Sequence, residues 1–117
     1  MLRFYAYKGC DGCRKARKWL QANDISFEEI PVREQPPSLD ELQQAKEVLG
    51  LKALFNTSGM DYRKLGMKDK LPAMSEQEAL QTLHECGNLV KRPFLVGETT
   101  ALTGFKEAVW AEQLTSQ

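Results

Sequence analysis

The hydrophobic period of the chain changes twice before Pro31, and this restricts the fold more than any other feature. Leu2 to Tyr7 is a run of aromatic and aliphatic side chains that stops at Lys8-Gly9, as a short buried strand and its turn would. From Asp11 to Asn23, Cys13, Ala16, Trp19 and Leu20 fall at helical spacing, and Arg14, Lys15, Arg17 and Lys18 fill the other positions. This predicts an amphipathic helix whose basic outer face reads as a solvated surface. Asn23-Asp24 breaks the helix, and Ile25-Ser26-Phe27-Glu28-Glu29-Ile30 alternates as a second strand. Such a crossover makes the two strands parallel, with a right-handed connection.

After the stiff Gln35-Pro36-Pro37 loop, Ser38 with Glu41 has the form of a capping box. It opens a helix carrying Leu39, Leu42, Ala45 and Leu49, which Gly50 ends. A second capping box, Ser75 with Glu78, opens a helix with Ala79, Leu80, Leu83 and Cys86 on one side, closed by Gly87. Between them, short helices are expected around Lys52–Phe55 and Asp61–Leu65. Roughly sixty residues of mainly helical sequence separate the second strand from the next strand signal, more than one crossover helix needs. Residues 36–88, approximately, therefore read as a helical insertion.

Pro93-Phe94-Leu95-Val96, a turn at Gly97-Glu98 and Thr99-Thr100-Ala101-Leu102 predict an antiparallel hairpin. A last helix starts near Gly104, with Phe105, Ala108 and Val109 as its buried face, and ends near Leu114. The order is strand, helix, strand, helical insert, hairpin, helix: an α/β sandwich around a mixed four-stranded sheet. The 117 residues suit one domain, 1–117, and the 42% hydrophobic and 27% charged content is that of a globular chain rather than a disordered one.

Sixteen basic residues balance sixteen acidic ones, so no net field favours direct nucleic-acid binding or an anionic membrane. The apolar start is too short for a signal-peptide core, and no run reaches membrane-spanning length. The expected location is cytoplasmic. Three cysteines, only two of them closely spaced, do not make a secreted disulfide framework; in a reducing compartment such a pair is catalytic, redox-sensing or metal-binding.

That pair is Cys10-Asp11-Gly12-Cys13, between the first strand and the first helix, the context of a thioredoxin-like redox centre. Backbone N–H groups and the helix dipole favour a negative sulfur at Cys10. Lys8 and Arg14 add positive charge and Asp11 opposes them, while Gly9 and Gly12 allow a close substrate approach and a sharp turn. Cys13, one turn on, faces the same side and can attack a mixed disulfide on Cys10. Cys10 is thus the expected nucleophile and Cys13 the resolving thiol. Two other readings stand beside this one: a purely structural pair, and half a zinc site completed by His84 and Cys86. Those two residues lie about 200° apart on the predicted helix and converge poorly on one metal. Cys86 reads as a small buried hydrophobe and His84 as solvent-facing.

The run Cys10 to Leu20, the loop Gln35-Pro36-Pro37-Ser38, the stretch Leu54-Phe55-Asn56-Thr57-Ser58-Gly59 and Lys91-Arg92-Pro93 together resemble the arsenate-reductase-like ArsC/Spx family, in order and over nearly the whole chain. The resemblance implies a thioredoxin-like, glutaredoxin-like fold with a helical insertion between the second and third strands, and a cis-proline at Pro93 opposite the nucleophile. It implies a substrate surface drawn from Gly12, Arg14, Asn56, Arg92 and Pro93, with no metal and no bound cofactor. Arsenate reductases of the family attack arsenate with one cysteine, cradle the oxyanion with arginines and use glutathione and glutaredoxin. Spx-type regulators carry a CxxC switch and bind the RNA polymerase α subunit. Here Asn56 stands where a second oxyanion-binding arginine is expected, and the last loop offers Lys106 rather than a third, so the match favours the CxxC-containing branch over arsenate chemistry. The expected activity is thiol-disulfide exchange with glutathione as co-substrate and a small thiol or a thioredoxin- or glutaredoxin-type protein as reductant. A redox-sensing regulator is the alternative.

Overall fold

The computed structural model describes residues 2–115. Strand β1 (Leu2–Ala6) leads through helix α1 (Asp11–Ala22) to β2 (Phe27–Pro31), and β3 (Phe94–Val96) with β4 (Ala101–Thr103) completes a four-stranded sheet in the order β2-β1-β3-β4. β1 pairs with β2 in parallel, and the β1–β3 and β3–β4 pairs are antiparallel. The sheet is therefore mixed, as the crossover argument requires. β2 is an edge strand, which is why it can hold Pro31 as its last residue.

Strand alternation divides the core into two layers. Phe4, Ala6, Leu95 and Leu102 face α1 and the last helix, α6 (Glu107–Thr115), where Cys13, Ala16, Leu20 and Trp110 are buried. Tyr5, Phe94, Val96 and Ala101 face the opposite layer, which the insertion supplies. Its helices are α2 (Leu39–Leu49), α3 (Met60–Lys64), α4 (Met67–Lys70) and α5 (Glu76–Glu85), with 3-10 turns at Lys52–Leu54, Leu71–Ala73 and Gly87–Leu89. Both predicted capping boxes are formed, Ser38 with Glu41 and Ser75 with Glu78.

Three local expectations need correction. The hairpin turn spans four residues, closed by the Gly97 N–H donating to the Thr100 carbonyl, so β4 starts at Ala101. Helix α6 buries Trp110, whose Nε1–H donates to the Gly104 carbonyl at 2.9 Å, while Ala108 and Val109 are exposed. The bulkiest ring sets that helix's orientation, and Phe105 packs against it from the preceding loop. Finally, α4 and the 3-10 turn at Leu71–Ala73 fill a stretch in which the sequence predicted no helix.

The insertion closely approaches the loop after β2 at Gly87. A Cβ there would lie 1.9 Å from the Val32 carbonyl oxygen and 3.0 Å from Arg33 Cα, so this contact of backbone with backbone admits only glycine. Gly87→Ala should lower stability by about 3 kcal/mol, because neither backbone can yield without repacking. Urea unfolding checks this; a midpoint equal to that of the parent protein would contradict it.

Candidate active site

The first helix begins on a cysteine. Cys10 has extended backbone (φ −97°, ψ 116°) and occupies the N-cap of α1, where its Sγ accepts the Cys13 N–H at 3.2 Å. A sulfur thus fills the position that Ser, Asp or Asn usually holds, with the positive end of the helix directed at it. Cys10 is half-buried, whereas Cys13, one turn later, is fully buried between Ala16, Leu20 and the sheet. One thiol therefore meets substrate and the other lies behind it.

Gly12 and Pro93 complete the surface around Cys10. The Arg92-Pro93 peptide is cis. A Cβ on Gly12 would stand 3.7 Å from Pro93 Cδ and 3.9 Å from Cys10 Sγ, so the three residues adjoin, and the missing side chain leaves the approach to the sulfur open. Gly12 has no positive φ; what it provides here is space rather than a turn.

The insertion brings in the remaining residues. Phe55 and Val90 form an antiparallel bridge, flanked by Asn56 N–H to Leu89 carbonyl and Lys91 N–H to Leu54 carbonyl, both 2.8 Å. This ladder carries Asn56 and Arg92 to one cleft of about 430 Å³, which Arg33, Ser58 and Asn88 also line. Arg14 lies elsewhere: it pairs with Asp11 and borders a separate hollow with Lys15 and Lys18. Lys106 lines another hollow with Lys52 and Lys91. Arg33 is the residue that the sequence did not reveal. It sits in the loop after β2 with no motif around it, and that loop is placed by long-range contacts: the close approach to Gly87, the Val32 N–H donating to the Ala6 carbonyl, and Arg33 over the Tyr7 ring.

His84 is not solvent-facing as expected; it is half-buried, its Nδ1 2.9 Å from the Pro37 carbonyl oxygen. Cys86 is the C-cap of α5 rather than a helical residue, half-buried against the insertion core. Among the described residues, no group of three or more His, Cys, Asp or Glu side chains gathers as a metal site. Nor is any described helix long and apolar enough to cross a membrane.

The model of the ArsC family matches residues 5–113. The chain belongs to the ArsC family. It is 47% identical over 113 residues to the uncharacterised protein YusI of Bacillus subtilis, covering 95% of this chain and 96% of that one. It is 33% identical over 110 residues to the global transcriptional regulator Spx of Enterococcus faecalis, covering 92% and 81% respectively. A crystal structure of an ArsC family related protein from Bacteroides fragilis superposes with a TM-score of 0.88 at 38% identity, covering 95% of each chain. The fold is the thioredoxin-like one of this family, CxxC included.

Within this ArsC frame the two thiols are unequally buried. Burial pushes the Cys13 thiol up from 9.0 to about 12, helped by its hydrogen bond with Cys10 and opposed by the Tyr7 backbone and the Arg92 charge. At neutral pH Cys13 is held as the neutral thiol, and it must pass its proton to a thiolate leaving the substrate or to solvent before it can attack. A thiol whose pKa rises on folding stabilises the fold fully below its unfolded value and loses that contribution as pH climbs from about 9 toward 12. In a variant with Cys10→Ser and Cys86→Ala, thiolate absorbance should titrate well above pH 9, with stability falling over the same window. A midpoint at the ordinary thiol value would contradict the burial account.

Proposed function

We propose that the protein is a thiol-disulfide oxidoreductase that reduces small disulfides, glutathione mixed disulfides among them, through Cys10 and Cys13. The observation that carries this reading is the half-buried Cys10 sulfur at the N-cap of α1, with the buried Cys13 thiol in the next turn. Cys10 thiolate attacks one sulfur of the substrate disulfide; a new S–S bond forms to Cys10 and the other substrate sulfur leaves as a thiolate. Cys13 gives up its proton to a departing thiolate and attacks Cys10 Sγ, releasing the second substrate half and closing a Cys10–Cys13 disulfide. Two electrons have passed to the substrate. A small thiol, used twice, or a thioredoxin- or glutaredoxin-type dithiol restores the reduced pair, and no metal or bound cofactor takes part.

Gly12 and Pro93 border the approach to Cys10, and Arg92 and Asn56 hold the rest of the substrate in the adjoining cleft. Arg14, paired with Asp11 on the outer face of α1, stands apart from this cleft. A reducing cytoplasm is the compartment in which this pair would be kept in its dithiol form.

A second reading rests on the Spx relative: a redox-switched regulator in which the Cys10–Cys13 bond alters binding to the RNA polymerase α subunit. Arsenate reduction ranks below both, since Lys106 lies in a different hollow from Arg92 and Asn56, so positive charge is not gathered from both segments. Turnover separates the readings. Reduction of a glutathionylated peptide should be abolished by Cys10→Ser and slowed at least about tenfold by Cys13→Ser. No turnover by the parent protein, together with its retention on an immobilised polymerase α C-terminal domain, would favour the regulator instead.

A further inference from the structure

The guanidinium groups of Arg33 and Arg92 both rest against the Tyr7 ring, with Cζ 3.6 and 5.2 Å from its centroid. This differs from the arrangement at Arg3, Arg14 and Arg17, each of which has a carboxylate partner. Among the described residues neither Arg33 nor Arg92 forms an ion pair. A guanidinium stacked on an aromatic face is oriented through its plane while its N–H edges stay available, the state of an arginine that receives an anion.

Both arginines open into the cleft of about 430 Å³. Arg92 is bonded to Pro93, which adjoins Cys10 across Gly12, so Arg92 is the lining residue that joins the cleft to the surroundings of the sulfur. That volume is larger than a tetrahedral oxyanion needs and suits a peptide-sized ligand. Asn56, Ser58 and Asn88 line it with neutral hydrogen-bonding groups, and exposed Met60 adds an apolar lip. Asn88 Oδ1 is buried without a hydrogen-bond partner, an acceptor that an N–H donor would satisfy. Asp61 sets one negative charge against the two arginines, leaving the cleft net positive.

We propose that this cleft binds the carboxylate-bearing part of a small peptide-like thiol, and that Arg33, held on Tyr7, anchors the carboxylate. This rests on the dithiol reading and specifies its substrate class: disulfides of anionic thiols rather than neutral or cationic ones. Arg92 holds the ligand near the reacting sulfur and Arg33 holds its far end, so that the scissile S–S bond lies along the path from Gly12 and Pro93 to Cys10.

The test uses a ligand that cannot react. S-methylglutathione and its dimethyl ester are titrated into the reduced full-length protein and followed by amide NMR shifts. The acid should bind and shift Ser58, Asn88 and Arg92. Arg33→Ala should weaken it about tenfold or more, as loss of a charge-assisted hydrogen bond predicts, and Arg33→Lys should weaken it less. The ester should bind weakly and equally to the parent and Arg33→Ala proteins, a result that a merely structural role for Arg33 would not produce. Equal binding of acid and ester, no binding of the acid, or an unaltered Arg33→Ala affinity overturns the anchor. Because the probe is a thioether, binding without disulfide turnover upholds the anchor while removing the dithiol reading. Turnover without binding does the reverse.

Discussion

The Cys13 N–H that reaches Cys10 Sγ belongs at once to the fold and to the chemistry. It satisfies one of the open donors at the start of α1, so the bond that caps the helix also fixes the sulfur of the nucleophile. The same turn drives Cys13 into the layer between α1 and the sheet, among Phe4, Ala16, Leu20 and Leu95. The inequality of the two thiols is a consequence: a single turn of helix separates a half-buried sulfur at a positive helix end from a buried one that burial keeps protonated. Thiol exchange in one direction needs this asymmetry.

The insertion does for substrate what α1 does for sulfur. Its two capping boxes set where α2 and α5 start, and the stretch after α5 passes over Val32 so closely that only Gly87 fits. The chain then pairs Val90 with Phe55 and enters the cis Arg92-Pro93 step. Residues far apart in sequence, Arg33, Asn56, Asn88 and Arg92, thereby share one cleft, and Pro93 closes the gap to Gly12. The sheet itself contributes Tyr7, just past the end of β1, as the surface on which both arginines lie.

What could be read from the sequence was what local chemistry determines. The strand-helix-strand opening, both capping boxes, the Gly50 stop and the hairpin each rest on side chains acting within a few residues of themselves, and they are present with boundaries shifted by one or two positions. The placement of Asn56 beside Arg92 was legible only through resemblance to a family, since the bridge joining their segments is long-range. What failed depends on packing partners. Helix α6 turns to bury Trp110 instead of Val109 because the indole fits between Phe4, Trp19 and Phe105. His84 is drawn inward by the Pro37 carbonyl, and the loop of Arg33 packs against Gly87, more than fifty positions away, which no window of sequence could connect.

The central claim is that Cys10 attacks and Cys13 resolves, and trapping the intermediate addresses it most directly. With Cys13→Ser, incubation with oxidised glutathione followed by peptide mass mapping should find one glutathione attached, at Cys10, with Cys86 free. Glutathione on Cys86 alone, or no adduct at Cys10, would contradict the account.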